Sequence, residues 1–190
     1  MLREAIALAS EASLEGLSIG SLAERLHMSK SGLFAHFGSK VDLQLEALRQ
    51  VQALFYDNVL APALRQSPGL PRLRTLFAGW LEWLRGREGI PGGCLMLGAS
   101  MEYDDRPGPL RDLLASGQRE LRGVIAKLIR GAIDEGQFSA EVDPWDLTFE
   151  IFGIVLAAHH DCRLLNDPRT FERARTAFER ALSVRIPFPQ

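Results

Sequence analysis

Two short apolar-patterned segments separated by a three-residue corner constrain this chain more than anything else in it. They lie in Ile19–Lys40, where Leu22, Ala23 and Leu26 repeat at helical spacing in the first segment and Leu33, Phe34 and Phe37 in the second. His27-Met28-Ser29 between them is a tight corner, with Ser29 as the candidate N-cap of a second helix over about Lys30–Phe37. Two short helices joined this briefly form a helix-turn-helix, and the second helix of such a pair can enter a DNA major groove. Local charge agrees. From Arg25 through Val41 the chain carries Arg25, Lys30, Lys40, His27 and His36 but no carboxylate.

The whole chain does not repeat that bias. Its net charge is -2, so any field that attracts phosphate has to be local, and Glu4, Glu11, Glu15 and Glu24 just before the window limit its strength. At 190 residues the chain is long enough for one domain or two small ones, and 46% hydrophobic with 24% charged residues is ordinary for a soluble globular protein. The longest apolar run, Phe149–Ala158, is interrupted by Glu150 and Gly153, so no membrane span is expected. No signal peptide opens the chain, which points to the cytoplasm. Cys94 and Cys162 offer neither a disulfide framework nor metal-ligand spacing and are expected to be reduced.

Breaks divide the rest into helices. Leu2–Leu14 carries a helical stripe that Gly16 should stop, and Ser18 should cap a second helix reaching about Leu26. After the Lys30–Phe37 helix, Gly38 breaks the pattern and Ser39 caps a long fourth helix that should end near Pro62. Ser67-Pro68-Gly69-Leu70-Pro71 reads as a loop, followed by a helix over about Arg72–Arg87 and a second break at residues 89–93. Further helices are expected at about Cys94–Tyr103, Leu110–Glu135, Pro144–Leu165 and Arg169–Val184, the last two each opened by an Asp-Pro pair. No alternating strand pattern appears, so the expected class is all-α, with about nine helices.

With these residues in place, the chain resembles the TetR family of one-component transcriptional regulators. The resemblance rests on the Ser-Ile-x-x-Leu-Ala core, the corner Met28-Ser29-Lys30, the helix Ser31-Gly32-Leu33-Phe34-Ala35-His36-Phe37, and Ser39-Lys40 with Leu43 and Leu48. It implies an N-terminal DNA-binding domain over 1–44, a ligand-binding and dimerisation domain over 45–190, and a homodimer on a near-palindromic operator. Carried over residue by residue, it puts Lys30, Ser31 and Gly32 at the exposed start of the recognition helix, and His36 and Lys40 on phosphate. Ser18 and Ser21 become further phosphate donors from the second helix. Phe34 stands where the family commonly has a phosphate-touching tyrosine, leaving only its ring to pack against the sugar–phosphate edge. Phosphate contacts position and base contacts specify, so Lys30 and Ser31 are the candidates for sequence preference. Only Met1-Leu2 precedes Arg3, so a basic arm reaching a minor groove is expected to be absent or trimmed.

Such a regulator also needs a sensing site. Phe55, Phe77, Trp80, Trp83, Met96, Met101, Tyr103, Phe152 and His159 are the candidate lining of an apolar pocket, with Glu102, His159 or Arg122 as polar anchors, although aromatics at helical spacing also simply make core. The expected effector is therefore small and apolar or aromatic. Phe149–Ala158 is apolar on nearly all sides, which a helix facing only its own core does not need. Together with the last helix it is the expected dimer face, through Phe149, Val155, Phe171 and Phe178.

Alternatives remain open at this level. His159 and Cys162 share a helix face at a spacing that suits a metal, and Cys94 at a helix start could be a redox thiol; no metal or cofactor is expected. A helical dimer that binds no DNA is a third reading. No phosphate loop, nucleophile elbow, zinc motif or paired carboxylate site is visible, and Asp104-Asp105 reads as a solvated turn, so an enzyme is not expected.

Overall fold

The computed structural model of the chain describes residues 1–86, 90 and 93–186. The expected break at 89–93 therefore lies, apart from Ile90 and Gly93, outside the described residues, as does Arg87 at the expected end of the fifth helix. Among the described residues every regular element is helical. In order these are α1 (Leu2–Ala12), α2 (Ile19–Leu26), α3 (Lys30–Phe37), α4 (Lys40–Phe55), α5 (Ala61–Leu64), α6 (Leu70–Leu84), α7 (Leu95–Glu102), α8 (Pro109–Asp134), α9 (Pro144–His160) and α10 (Thr170–Ser183), with π-helical turns at Tyr56–Leu60 and Asp161–Leu165. The chain forms two compact units, Met1–Phe55 with Arg85–Gly117 and Tyr56–Leu84 with Gln118–Gln190.

The expected boundaries of α2 and α3 match those observed, and α9 starts as expected on the Asp143-Pro144 pair. Elsewhere the observed boundaries differ, at α1 and α6 because a distant side chain takes the backbone amides. α1 ends at Ala12, where Ser13 turns to φ 90°, rather than at Gly16. The next amides, Leu14 and Glu15, donate to the two oxygens of Glu102 at 3.0 and 2.9 Å instead of extending the helix. α4 gives way at Phe55 to the π-turn, and Pro62 then sits in the first turn of α5, where its missing N–H costs nothing. Leu70 and Pro71 belong to α6, not to the preceding loop, because Gln137 Oε1 accepts from Leu70 N at 2.6 Å. Gly69 favours this turn through its φ of +85°, which L side chains rarely adopt, and a Cβ there would also push the Gln137 amide off the Leu70 N–H. Asp167-Pro168 does not open α10 as an N1-proline pair. The helix begins two residues later, at Thr170, and Asp167 accepts instead from Arg169 N at 2.8 Å.

The first unit packs α1 against α2, α4 and α7 around Ile6, Leu14, Leu17, Leu22, Leu33, Phe37, Leu43 and Leu48. Gln44 is buried among them, its Nε2 donating to Leu14 O at 2.6 Å and Leu17 O at 3.3 Å. In the second unit α9 packs on α6 and α10. Phe77 stacks flat on Phe178 at 3.9 Å, and Trp80 meets Phe152 edge-on at 5.5 Å.

Two residues expected at a subunit face are corrected by this packing. Val155 and Phe178 are core, because the side of α9 that carries Leu147, Ile151, Phe152 and Val155 covers the unit's own interior, and Phe178 is fixed against Phe77. The opposite side of α9 is the open one. Phe149 is 79% exposed, and a solvent-facing cavity of about 630 Å³ runs along Gly153, Ile154 and Ala157 of α9 and Ala177, Ala181 and Val184 at α10. Phe171 is half-buried.

Candidate nucleic-acid interface

α3 is built by purely local signals. Ser29 Oγ accepts from Gly32 N at 3.2 Å at its start, and Gly38, at φ 78°, ends it. Leu33 and Phe37 anchor the helix to the unit's core, which turns Lys30, Ser31, Phe34 and His36 outward. Phe34 is 59% exposed, a large apolar ring held in water at the centre of that face. Ser31 Oγ lies 3.4 Å from Ser29 Oγ, and Gly32 keeps the helix start free of side-chain bulk. The corner before it is closed by His27 in a left-handed conformation, φ 53°.

α2 presents its own start differently. Ser18 Oγ accepts from Ser21 N at 3.0 Å while Ser21 Oγ accepts from Ser18 N at 2.9 Å, a reciprocal capping box. Both hydroxyls expected on phosphate are half-buried and serve this cap in the free chain.

The acid-free window does not survive folding. Arg25 is bound by two carboxylates of α1, with Nε 3.2 Å from Glu4 and Nη1 3.0 Å from Glu11, which together hold its guanidinium more firmly protonated than usual. Lys30 Nζ lies 3.9 Å from Glu24, an exposed and loose pair. Lys40 Nζ is 2.5 Å from Glu15 Oε1. The other oxygen of Glu15 accepts from the Tyr103 hydroxyl at 2.8 Å and faces Arg106 at 3.8 Å. The hydrogen bonds from Lys40 and then Tyr103 keep the Glu15 carboxyl below its ordinary range. Burial first, and Glu15 second, push the Tyr103 phenol up, so it stays protonated and donates.

Two residues expected in a ligand pocket thus do other work in the first unit. Tyr103 holds Glu15, and Glu102, weighed as a polar anchor, holds two backbone amides. Glu15, Gln44 and Arg106 carried no sequence signal for this, since their partners are tens of residues away. Met101 is 62% exposed and lines no interior, which removes it from the pocket set; Phe55 and Met96 are half-buried in the same unit. In the second unit Phe77, Trp80, Trp83 and Phe152 are buried. The Arg122 guanidinium lies 3.6 Å from the Phe152 ring centre, with Nη1 3.1 Å from Gln118 Oε1, and burial weakens its hold on the proton. Burial chiefly, with Arg163 and His160, lowers the pKa of His159. Cys162 Sγ donates to His159 O, and burial raises its thiol pKa, whereas Cys94 is buried at the start of α7. No group of three or more His, Cys, Asp or Glu placed to hold a metal ion occurs among the described residues, and none of their helices is long and apolar enough to cross a membrane.

Two family descriptions match the chain. "Bacterial regulatory proteins, tetR family" covers residues 1–47, and "Tetracyclin repressor-like, C-terminal domain" covers residues 69–178. Similar solved structures include a TetR transcriptional regulator from Chloroflexus aurantiacus, with 23% identity and a TM-score of 0.88 over 99% of this chain and 94% of that one. The ketosteroid transcriptional regulator KstR2 of Mycobacterium tuberculosis is 16% identical, with a TM-score of 0.73 over 98% and 94%. AibR, solved in complex with isovaleryl coenzyme A and operator DNA, is 20% identical, with a TM-score of 0.71 over 98% and 99%. No curated protein matches the chain. At these identities the likeness to solved structures shows the fold.

Proposed function

Because the chain belongs to the TetR family of bacterial transcriptional regulators, we propose that it is a cytoplasmic repressor that binds a palindromic operator as a homodimer and is released by a small apolar or aromatic effector. The observation that carries this reading is the outward face of α3, where Lys30, Ser31, Phe34 and His36 stand clear of a buried Leu33 and Phe37. A short helix so presented fits a major groove, with Lys30 and Ser31 at base edges and His36 and Lys40 at phosphates. Ser18 and Ser21 add backbone donors once their cap hydroxyls reorient, and the Phe34 ring packs at the sugar–phosphate edge.

Arg25, Lys30 and Lys40 each meet a carboxylate, so one copy is a weak binder and pairing supplies the rest. The pairing surface is the open side of α9 with α10, where exposed Phe149 lies beside a trough floored by Gly153, Ala157, Ala177 and Ala181. Phe171 flanks it. The effector site belongs to the second unit, around Phe77, Trp80, Trp83 and Phe152, with Arg122 as the polar anchor in preference to a neutral His159. AibR, whose structure holds both isovaleryl coenzyme A and operator DNA, supports placing a small-molecule site and a DNA-binding face on one fold.

Electrophoretic shift with the DNA upstream of the chain's own gene tests the reading. A competable shift that weakens steeply with salt is expected. No such shift would sink the repressor. Lys40→Ala should weaken binding to all sequences alike, while changes at Lys30 or Ser31 should alter preference among them.

A further inference from the structure

The Glu15 carboxylate meets Lys40, Tyr103 and Arg106, and DNA binding as proposed makes no use of it. Its position is fixed twice over by one short segment. Glu102, the last residue of α7, accepts from its backbone amide at 2.9 Å, and the neighbouring Tyr103 donates to its side chain at 2.8 Å. The carboxylate so held reaches Lys40, the first residue after the α3–α4 corner, at 2.5 Å. Arg106 approaches the same carboxylate at 3.8 Å. Beside the cluster lies a half-open cavity of about 290 Å³, lined by Glu15, Lys40, Val41, Gln44, Tyr103 and the 106–110 turn, which gives the lysine room to swing away.

We infer that Glu15 is a built-in competitor of operator phosphate for Lys40, and that the segment after α7 sets how hard it competes. The inference rests on the reading of Lys40 as a phosphate contact. Lys40 has one ammonium, and held at 2.5 Å by Glu15 it gives up that partner when it turns to a phosphate. Tyr103 and Arg106 draw on the same carboxylate, so a closer approach of Arg106 loosens Lys40 and a retreat tightens it. The strength of the DNA contact is thereby tied to a turn some sixty residues further along the chain, by charge alone and within one compact unit.

The test is operator affinity and its salt dependence for the full chain and its variants. Glu15→Gln keeps the backbone tie and removes the competing charge. It should tighten operator binding about two- to fivefold, the scale of an exposed ion pair. The log–log salt slope should steepen by up to about one unit, because Lys40 then releases a counterion of its own. In a Lys40→Ala background the gain should vanish. A gain of equal size in that background would mean a general field effect and would overturn the inference, as would no gain in the wild-type background. Arg106→Ala is the second arm; the side chain is itself exposed, and its guanidinium lies 5.4 Å from the ring centre of the buried Tyr103, so the Tyr103 hydrogen bond to Glu15 is checked in the same variant. It should weaken binding in the native chain and do nothing beside Glu15→Gln; equal weakening in both would make Arg106 a direct DNA contact and refute the relay. A native chain that binds no DNA at all refutes the proposed function along with the inference, whereas normal binding indifferent to Glu15→Gln refutes the inference only.

Discussion

The two compact units are held by different chemistry. The long-range ties of the first are polar: Glu102 on two amides, Gln44 on two carbonyls, Arg25 between Glu4 and Glu11, and Glu15 among Lys40, Tyr103 and Arg106. The second has polar ties too, from Leu70 to Gln137 and from Arg74 to Glu179, but adds aromatic ones that the first lacks among those described: Phe77 flat on Phe178, and Trp80 against a Phe152 ring that also carries Arg122. Directional polar ties answer to protonation and salt, whereas stacked rings answer to volume. The unit proposed to meet DNA is thus built to feel charge, and the unit proposed to meet an effector is built to feel shape.

Substitutions can break this contrast, starting with the rings. Phe178→Ala should cost about 3–5 kcal/mol in urea unfolding, the loss of a fully packed aromatic. A loss near 1 kcal/mol would mean the stack matters little. Glu102→Ala should cost less, about 1–2 kcal/mol, because it strands the Leu14 amide in a half-buried site while water can reach the Glu15 amide. Restoring an acceptor with Glu102→Gln should recover part of it, and no recovery would make the tie one of packing. Acid should then reach the units at different pH. Unfolded His159 takes up its proton near the ordinary 6.5 while the folded residue resists, so its contribution is present at neutral pH and fades as pH falls below that value. Glu15 is lowered in the fold, so its contribution holds above the ordinary 4.5 and is lost only as pH drops through the lower folded value. A His159→Gln chain should lose the earlier decline in a pH series of melting temperatures and keep the later one. Smallest of all, Arg74→Ala, which breaks a surface pair with Glu179 in the ring-built unit, should cost under about 1 kcal/mol and be insensitive to salt above physiological strength.

What the sequence made legible follows from the reach of each signal. α3 was readable from end to end because its cap, Ser29, and its stop, Gly38, act on residues within one turn. Asp143-Pro144 opened a helix for the same reason, but Asp167-Pro168, with the same letters, lies ahead of a helix whose N-cap is Arg169 and whose first turn has no side-chain cap. The stop of α1 was hidden because its acceptor, Glu102, is 88 residues from Leu14. The basic window around the recognition helix looked acid-free only in one dimension, since α1 and its following turn bring Glu4, Glu11 and Glu15 back onto its cations. The apolar character of α9 on every side was plain in its composition. Which side serves the unit's own core was not, because both sides are apolar and only the partner helices decide.

Gly153 gives that open side of α9 a use as a gauge. A methyl group added there would meet nothing of the described chain within 4 Å. Alanine is the better helix former by about 1 kcal/mol, so a lone chain gains from the exchange. Any penalty must come from a body that the lone chain does not contain. Dilution series of the native protein and the Gly153→Ala variant would therefore separate two quantities that ordinary melting curves merge. A stability gain that persists at every concentration marks a bare surface, and a gain that turns to loss as the protein is concentrated marks one that something else of its own kind fits.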